Sequence, residues 1–400
     1  MLFRDSDFHF IDLFTWKLEP SSVKCFMHRK KASKLVAAIT MAFFLTLMLS
    51  RVCSAQNYEQ QYFLLKGQST YRLTLSITHS LYEYYQQKNH QLTQDNFASF
   101  VTPYSLALVA EDIRSIFPDE ENFVNAVLML VHQIPYQIVE EAKYPVETIV
   151  ENKGDCDLLS YVATSLIKSQ DLSVVLLYYE QESHMNIGVS LLNPPTNARA
   201  TISHVDYMET RYYIAECTGD DWRNGWRVGE CPPELEGAQV TVVTLENSEQ
   251  IAPGQVSSSF GTLKSSAISL TTSSNFVIEG SAVVITGQVS ASNPEGTVTL
   301  YAATNGYWFS IETVELDSSG QYVFSWIPPL LGQYYVKASW SGDAEYAGAD
   351  SGTVSIYVVP EILVFAGGGL VVITIIVVVL FLMYRTTHPQ EMQTLEAVSQ

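Results

Sequence analysis

The spacing of apolar and polar positions changes several times along the first two thirds of the chain. Residues 56–78 alternate apolar or aromatic with polar side chains, which predicts strands. From 81 to about 136 the apolar spacing is helical, and a further helix is predicted at 158–168. Three β-rich stretches follow, at 172–179, 184–192 and 211–217. Helices followed by an antiparallel sheet predict an α+β fold for residues 56–245.

The next part of the chain has a different pattern. Residues 246–265 are rich in Ser, Gly, Gln and Thr with little periodicity, which predicts a linker. Residues 266–359 then hold about seven short runs of β-forming residues separated by turn residues, such as 293–296 (NPEG) and 317–320 (DSSG). Short strands at this spacing predict an all-β sandwich.

Two long apolar segments lie outside these domains. The first, at 35–50, follows basic residues at 28–34 and precedes small residues up to Ala55, which is typical of a signal peptide. Met27 stands where such a peptide begins, so we interpret 1–26 as an extension from a misplaced start codon. The alternative is a cytoplasmic tail on an uncleaved anchor. Either way, residues 1–55 form an N-terminal extension with a signal peptide or anchor.

The second apolar segment, 362–384, is long enough to cross about 30 Å of hydrocarbon as a helix. Arg385 follows it and opens a short polar tail, 385–400. Positive charge at both outer flanks places both ends inside the cell and residues 56–360 outside. We therefore expect a single-pass protein of the cell membrane, held by its C-terminal helix, with its main domains extracytoplasmic.

Composition narrows the choice of partners. The formal net charge of −20 argues against a nucleic-acid partner, since no part of the sequence resembles the basic stripe that binds nucleic acid. The five cysteines include no CxxC pair, and no cluster of metal ligands stands out, so neither a metal nor another cofactor is expected. The sequence carries no signal for an oligomeric state.

Cys156 is the candidate nucleophile, because it follows Gly154-Asp155 at the predicted start of a helix. Backbone N–H groups and the helix dipole favour a thiolate there, and a glycine permits a tight entry turn. The flanking Asp155 and Asp157 oppose this effect by like charge. The thiol therefore needs a cationic partner.

His184 and Glu216 are the candidates that complete a nucleophile–base–acid set. His184 follows a buried-looking run, 174–179, and opens the next strand, and Glu216 lies on the following predicted strand. A catalytic base needs an acceptor on its second ring nitrogen to orient it, and Glu216 can supply one. Asp206 is a weaker rival for the acid.

In this order and context, these residues resemble the transglutaminase-like core, a superfamily of papain-like cysteine enzymes. The matching motifs are 144–148 (YPVET), 154–156 (GDC), His184-Met185 and 225–230 (GWRVGE), and they look closest to membrane-attached archaeal members. The resemblance implies that Cys156 is the nucleophile, His184 the general base and acid, and Glu216 the orienting acid. It also implies that Gln133 is the second oxyanion donor, although an exposed polar residue near a helix end is the alternative.

The chain departs from that family in two ways. Many relatives carry Asp where this chain has Glu216, and the interval from His184 to Glu216 exceeds a simple hairpin. We attribute the excess to an insertion at 193–209 that forms a lid or substrate lip. Trp222 and Trp226 either wall the acyl-binding groove or pack in the core.

Cys217 and Cys231 flank a predicted turn in the outer part of the chain. In an oxidising exterior they can form a disulfide that stabilises the loop by about 3 kcal/mol and leaves Cys156 as the free thiol of the mature outer region.

Two functions follow as expectations. The first is a surface-anchored cysteine protease or amidase that acts on a protein or peptide substrate through a thioester on Cys156, with hydrolysis preferred over transfer to an amine. The second is a non-catalytic adhesion or scaffold protein. Motifs at 296–301 (GTVTLY), 332–336 (GQYYV) and 341–346 (SGDAEY) resemble bacterial and archaeal surface Ig-like repeats, for which we favour a spacer role over an adhesive one.

Overall fold

The computed structural model describes residues 57–361. The predicted N-terminal segment (1–55), C-terminal apolar segment (362–384) and tail (385–400) lie outside this range. Between residues 57 and 361, no helix is both long and apolar enough to span a bilayer.

The chain begins with an antiparallel hairpin of β1 (Tyr58–Lys66) and β2 (Ser69–Ile77), which turns at Gly67 with a φ of 61°. Five α-helices follow: α1 (His79–Gln86), α2 (Ala107–Ile116), α3 (Glu120–Val131), α4 (Pro145–Glu151) and α5 (Cys156–Lys168). Short 3-10 helices lie at Gln94–Phe100 and Tyr104–Leu106. Thr78 and Asp119 cap α1 and α3 by accepting hydrogen bonds from backbone N–H groups of the first turn.

A five-stranded antiparallel sheet comes after the helices, in the order β5-β6-β4-β3-β7. Its strands are β3 (Val174–Tyr179), β4 (His184–Val189), β5 (His204–Tyr207), β6 (Thr210–Ala215) and β7 (Thr241–Val243). The middle of α5 lies against β4, and the Ser160 hydroxyl donates to the Met185 carbonyl at 3.2 Å. The helices pack on one face of the sheet, and a smaller apolar cluster covers the other face. The region is therefore mixed helix and sheet, in the predicted order.

The segment 246–265 does not behave as the predicted linker. Val256 is fully buried, and β8 (Ser257–Ser259) adds to the N-terminal hairpin by pairing with β2. The Val256 N–H also donates to the Ser105 carbonyl at 2.8 Å. A polar composition misled the prediction, because the small Ser side chains fit against β2 while their backbone groups complete a sheet.

The C-terminal part is a β-sandwich, as predicted. Its strands are β9 (Thr271–Thr272), β10 (Phe276–Ile278), β11 (Val283–Gln288), β12 (Thr297–Thr304), β13 (Tyr307–Glu315), β14 (Gln321–Trp326), β15 (Gly332–Gly342), β16 (Ala347–Asp350) and β17 (Val354–Val359). One sheet runs β10-β17-β15-β12-β13 with β16 beside β15, and the other runs β14-β11-β9. Their facing sides enclose a core that includes Trp340, Tyr322 and Ile356.

The sandwich contacts the first domain through polar groups. The Lys337 ammonium pairs with Glu83 at 2.5 Å, and Asp350 accepts a hydrogen bond from the Ser80 N–H at 2.8 Å. Both Lys337 and Asp350 are buried. Because each charged group finds its partner across the contact, the two domains are joined by specific bonds as well as by the connecting chain.

Candidate functional site

Cys156 is the first residue of α5, where the sequence predicted it. Asp155 before it is extended, with φ −104° and ψ −169°. Gly154 donates its N–H to the Pro135 carbonyl at 3.2 Å, and a Cβ at this position would lie only 3.1 Å from the Leu158 Cβ. The entry to the helix is therefore tightly packed, and it sets the half-buried thiol at a fixed place on the helix end.

His184 and Glu216 come together at the end of the sheet nearest to that thiol. His184 opens β4, and Glu216 directly follows β6, which pairs with β4. The His184 Nε2 lies 2.9 Å from the Glu216 Oε2. Glu216 is fully buried and His184 is partly exposed, so the carboxylate lies behind the imidazole.

The Glu216 carboxylate has further donors. Its Oε1 accepts from the Thr218 N–H at 2.8 Å and from the Thr218 hydroxyl at 2.5 Å, and its Oε2 also accepts from the Asn186 amide at 3.2 Å. Burial works to raise the pKa of Glu216, but hydrogen bonds and charge attraction from His184, together with the Thr218 donors, lower it overall. Glu216 therefore stays ionised and holds the imidazole in one orientation.

With Nε2 directed at Glu216, Nδ1 is the ring nitrogen available to Cys156. Burial works to lower the pKa of His184, but hydrogen bonds to Cys156 and Glu216 outweigh it and raise the pKa to about 10. His184 is thus an imidazolium at neutral pH. It is the cationic partner that the sequence argument required.

Of the two aspartates beside Cys156, Asp157 has a strongly shifted pKa. Burial, followed by the hydrogen bond and charge of Asp155, raises the pKa of Asp157 to about 8. The Val139 N–H donates to Asp155 Oδ2 at 3.0 Å, which holds Asp155 in place. At neutral pH Asp157 therefore favours its protonated form, which weakens its opposition to the helix dipole.

Cys156 and His184 open into a cleft of about 330 Å³. Most of its other walls are apolar or aromatic: Leu92, Phe97, Tyr136, Ile138, Tyr178 and Met185. Tyr136 is brought next to the nucleophile because it bridges to Gly154 in a short parallel β-contact. The cleft therefore combines a thiol, an imidazole and an apolar wall at the protein surface.

Gln133 is not part of this cleft, which corrects the oxyanion role implied by the resemblance. Its amide N–H groups donate to the Phe63 carbonyl at 2.9 Å and the Met129 carbonyl at 2.8 Å, and its oxygen accepts from the Phe63 N–H. Gln133 thus fastens α3 to β1. The N–H of Cys156 lies in the first turn of α5, where backbone N–H groups have no intrahelical acceptor.

Other candidate residues also lie elsewhere. Asp206 is exposed and pairs with Arg211 at 2.9 Å, so it does not compete with Glu216. The insertion at 193–209 binds α3, where Thr196 and its neighbours donate to Glu121, and none of its residues lines the cleft. It is therefore not placed as a lid.

Trp222 and Trp226 do not wall the cleft. They line a separate pocket of about 170 Å³ together with His132 and Met129. Trp222 stacks on Phe63 with ring centroids 6.3 Å apart.

The remaining described cysteines do not form the predicted disulfide; Cys217 and Cys231 are free thiols. Cys217 lies in the core on the helix side of the sheet, and Cys231 lies in the apolar cluster on the other side. Burial raises the pKa of Cys217 well above its usual value and that of Cys231 to about 11. Both thiols therefore stay protonated, and Cys156 is the partly exposed cysteine among the described residues.

Three supporting residues escaped the sequence reasoning. Asn186 lies two positions after His184, and Thr218 two positions after Glu216, so their spacing was a usable signal for side chains that meet at one carboxylate. His132 holds the backbone of Glu216, with its Nε2 3.0 Å from the Glu216 carbonyl. It comes from a distant helix end, and nothing local in the sequence marked it.

Comparisons with known proteins match only part of the chain. The chain has no significant match among curated proteins. Solved structures with some similarity include a chitin-binding domain from Burkholderia pseudomallei (14% identity, 21% of this chain and 56% of that chain, TM-score 0.18). A CARDB domain from Pyrococcus furiosus is 15% identical over 24% of this chain and 94% of that one, with a TM-score of 0.19. Residues 270–359 match the family model of the bacterial Ig-like domain (group 3).

Proposed function

We propose that this protein is a surface-anchored cysteine-dependent enzyme of the transglutaminase-like type, which cleaves peptide or glutamine amide bonds through a thioester on Cys156. The contact that carries the proposal is the 2.9 Å bond between His184 and the buried Glu216, with the other imidazole nitrogen available to Cys156. A helix start, a strand start and the end of the neighbouring strand supply these three residues. That arrangement supports the family resemblance of the sequence.

The first half of the reaction uses the charges already in place. An imidazolium beside a thiol favours the thiolate, which attacks the carbonyl carbon of the amide and forms a C–S bond. The carbonyl electron pair moves onto oxygen, which accepts a hydrogen bond from the Cys156 N–H. When the C–N bond breaks, His184 gives its proton to the leaving nitrogen, and a thioester is left on Cys156.

The second half returns the enzyme to its starting state. The neutral His184 takes a proton from water, and the hydroxide adds to the thioester carbon. The C–S bond then breaks, which releases the carboxylic acid and restores the thiolate and imidazolium. We favour water over an amine as the acceptor, because Cys156 is partly exposed and Tyr136 and Ile138 at the rim are exposed, so the site is open to solvent. The apolar wall of the cleft suits an acyl group with an aliphatic or aromatic neighbour.

The test is to incubate the full chain with a peptide library, with and without a primary amine, and to follow products by mass spectrometry. We expect hydrolysed peptides or deamidated glutamine, and no products from Cys156→Ser. Cys217→Ser is the matched control, since it removes a buried thiol outside the cleft and should retain activity.

The alternative function, a non-catalytic surface adhesion protein, draws its support from the match of 270–359 to a bacterial Ig-like domain. An adhesion protein needs no activated thiol. If iodoacetamide alkylates Cys156 no faster than it alkylates an unfolded-state cysteine, and His184→Gln leaves that rate unchanged, the enzymatic proposal is wrong and this one takes its place.

A further inference from the structure

One end of the sandwich carries exposed apolar side chains. We define the terminal patch as Phe276, Ile327, Leu330, Leu331 and Tyr357. Phe276, Leu330 and Ile327 are 68%, 66% and 57% exposed, and Leu331 and Tyr357 are also exposed. Such a group of large apolar side chains on one surface indicates a contact with an apolar partner.

Strand pairing brings these side chains together. Phe276 pairs with Tyr357, and their rings stack with centroids 5.3 Å apart. The loop 327–331 joins β14 to β15 at the same end, because Gly332 directly after it pairs with Val358. The terminal patch therefore surrounds the end of β17.

The loop in the patch is held with its apolar side chains outward. It contains two consecutive prolines, Pro328 and Pro329, which restrict the backbone. The Leu330 N–H donates to the hydroxyl of the buried Tyr334 at 3.0 Å. Little conformational freedom is lost when such a loop binds, so the exposed leucines are prepared for contact.

The position of the patch along the chain identifies the partner. Only two residues, Pro360 and Glu361, separate the end of β17 at Val359 from the apolar segment that begins at 362, and the three residue steps from 359 to 362 reach about 10 Å when extended. If that segment spans a bilayer, the patch must lie close to the membrane surface. Gly332, at the start of β15, pairs with Val358 of β17, and paired strands lie about 5 Å apart. Leu331 directly precedes Gly332, so it lies close to the end of β17 and to the start of the apolar segment.

The charged residues at this end of the sandwich limit how deeply the terminal patch can enter a bilayer. The sequence has no Lys or Arg from 265 to 336 or from 338 to 384, so attraction to anionic lipid does not drive the contact. Glu279 and Glu361 lie at the same end and are exposed, and both must stay in water or among headgroups. Leu, Ile, Phe and Tyr side chains suit the boundary between headgroups and acyl chains.

We propose that the terminal patch inserts into the interface of the outer leaflet and orients the Ig-like domain on the membrane. This proposal rests on the anchoring role of 362–384 that forms part of the proposed function. It differs from a free stalk, because the sandwich rests on the bilayer and the polar contacts between the domains then hold the Cys156 cleft at a fixed orientation to the surface.

The experiment uses the full chain in phosphatidylcholine vesicles, with Cys25, Cys53 and Cys156 replaced by Ser. A nitroxide is attached at Leu330→Cys, and collision rates with oxygen and with a water-soluble nickel complex are measured. Ser318→Cys, an exposed position in the turn before β14, is the matched control at the other end of that strand. We expect an oxygen-to-nickel ratio several-fold higher at position 330 than at 318, and Leu331→Cys should behave as Leu330→Cys does.

The other outcomes are distinct. Equal ratios at 330 and 318, in a chain that floats with the vesicles, overturn the docking but leave the anchor and the enzyme intact. Dipolar broadening between labels at 330 means that a second copy covers the patch, and it also overturns the proposal. A chain that does not float with the vesicles overturns the anchor and the docking together.

Discussion

The two domains bury polar groups in different arrangements. In the first domain, Asn186 and Glu216 are fully buried beside His184, and their hydrogen bonds hold the His184 imidazole at the cleft. In the sandwich, Lys337 and Asp350 are buried, and their partners lie across the contact with the first domain.

This difference suggests that the buried polar groups of the sandwich stabilise the contact between the domains, whereas those of the first domain position the His184 imidazole. Burying a charged group costs free energy unless hydrogen bonds and an opposite charge compensate it. In the sandwich, Lys337 pairs with Glu83 and Asp350 accepts from the Ser80 N–H. The bonds that offset the cost of burying these two groups therefore hold the two domains together. Around Glu216 the bonds instead fix an imidazole that still faces a cleft. Breaking the first set should change stability, and breaking the second should change reactivity.

The largest effect is expected for His184→Gln, since the cleft then has neither a cationic partner for the thiol nor a proton donor for the leaving group. We expect amide hydrolysis to fall by about 10³-fold or more. His90→Gln is the matched control, because His90 also lies 2.9 Å from a buried glutamate, Glu147, but does not line the cleft. Equal losses in both variants would mean that the effect is structural.

Glu216→Gln should have the next largest effect, a loss of about 10²-fold. The amide keeps the size of the side chain but removes the negative charge, so the pKa of His184 should fall from about 10 towards its usual value. An NMR titration of the His184 ring measures that shift. Glu230→Gln is the control, since Glu230 is buried and pairs with Arg199 outside the cleft, and it should leave the titration unchanged.

The sequence predicted the parts of the site that depend on local order. A helix start marked Cys156, and the strands predicted after it carried His184 and brought Glu216 beside it. The sandwich was predictable for a similar reason, since its longer strands are runs of β-forming residues and its turns carry Gly, Asn and Asp. Its short strands β9, β10 and β16 have too few residues to show a period.

The predictions that failed concern residues whose roles depend on tertiary contacts, that is, on which other part of the fold each side chain packs against. Gln133 stands at a reasonable place in the sequence, but its helix end faces β1, and its amide is used there. Cys217 and Cys231 looked like a pair across a turn, yet the sheet separates them. The charge on Asp157 also depends on burial and on Asp155, which no spacing encodes.

A smaller effect is expected at the contact between the domains. Asp350→Ala leaves the Ser80 N–H without its acceptor, which should lower the free energy of unfolding by about 1–3 kcal/mol without changing the chemistry at Cys156. Thermal unfolding with a parallel activity assay measures both. Asp317→Ala is the control, because Asp317 bonds only within its own turn among the contacts of the described chain. A loss of activity in folded Asp350→Ala would contradict the separation of assembly from chemistry.

The smallest effect is expected from the titration of Asp157. It is measured as the ratio of the rates at which iodoacetate, which is anionic, and iodoacetamide, which is neutral, alkylate Cys156. At neutral pH, the His184 imidazolium favours the anionic reagent. As pH rises through about 8, Asp157 loses its proton and adds a negative charge, so the ratio of the two rates should fall a few-fold. It should fall again as His184 loses its proton at about pH 10.

Two variants assign these steps. Asp157→Asn should remove the lower step and keep the upper one, and His184→Gln should remove the upper one.

The raised pKa means that the folded state binds the Asp157 proton more tightly than the unfolded state does, so this group's contribution to stability is lost as pH rises through about 8. Asp157→Asn should therefore be more stable than the unchanged protein at pH values above that step. A lower step that persists in Asp157→Asn would show that the step does not arise from Asp157.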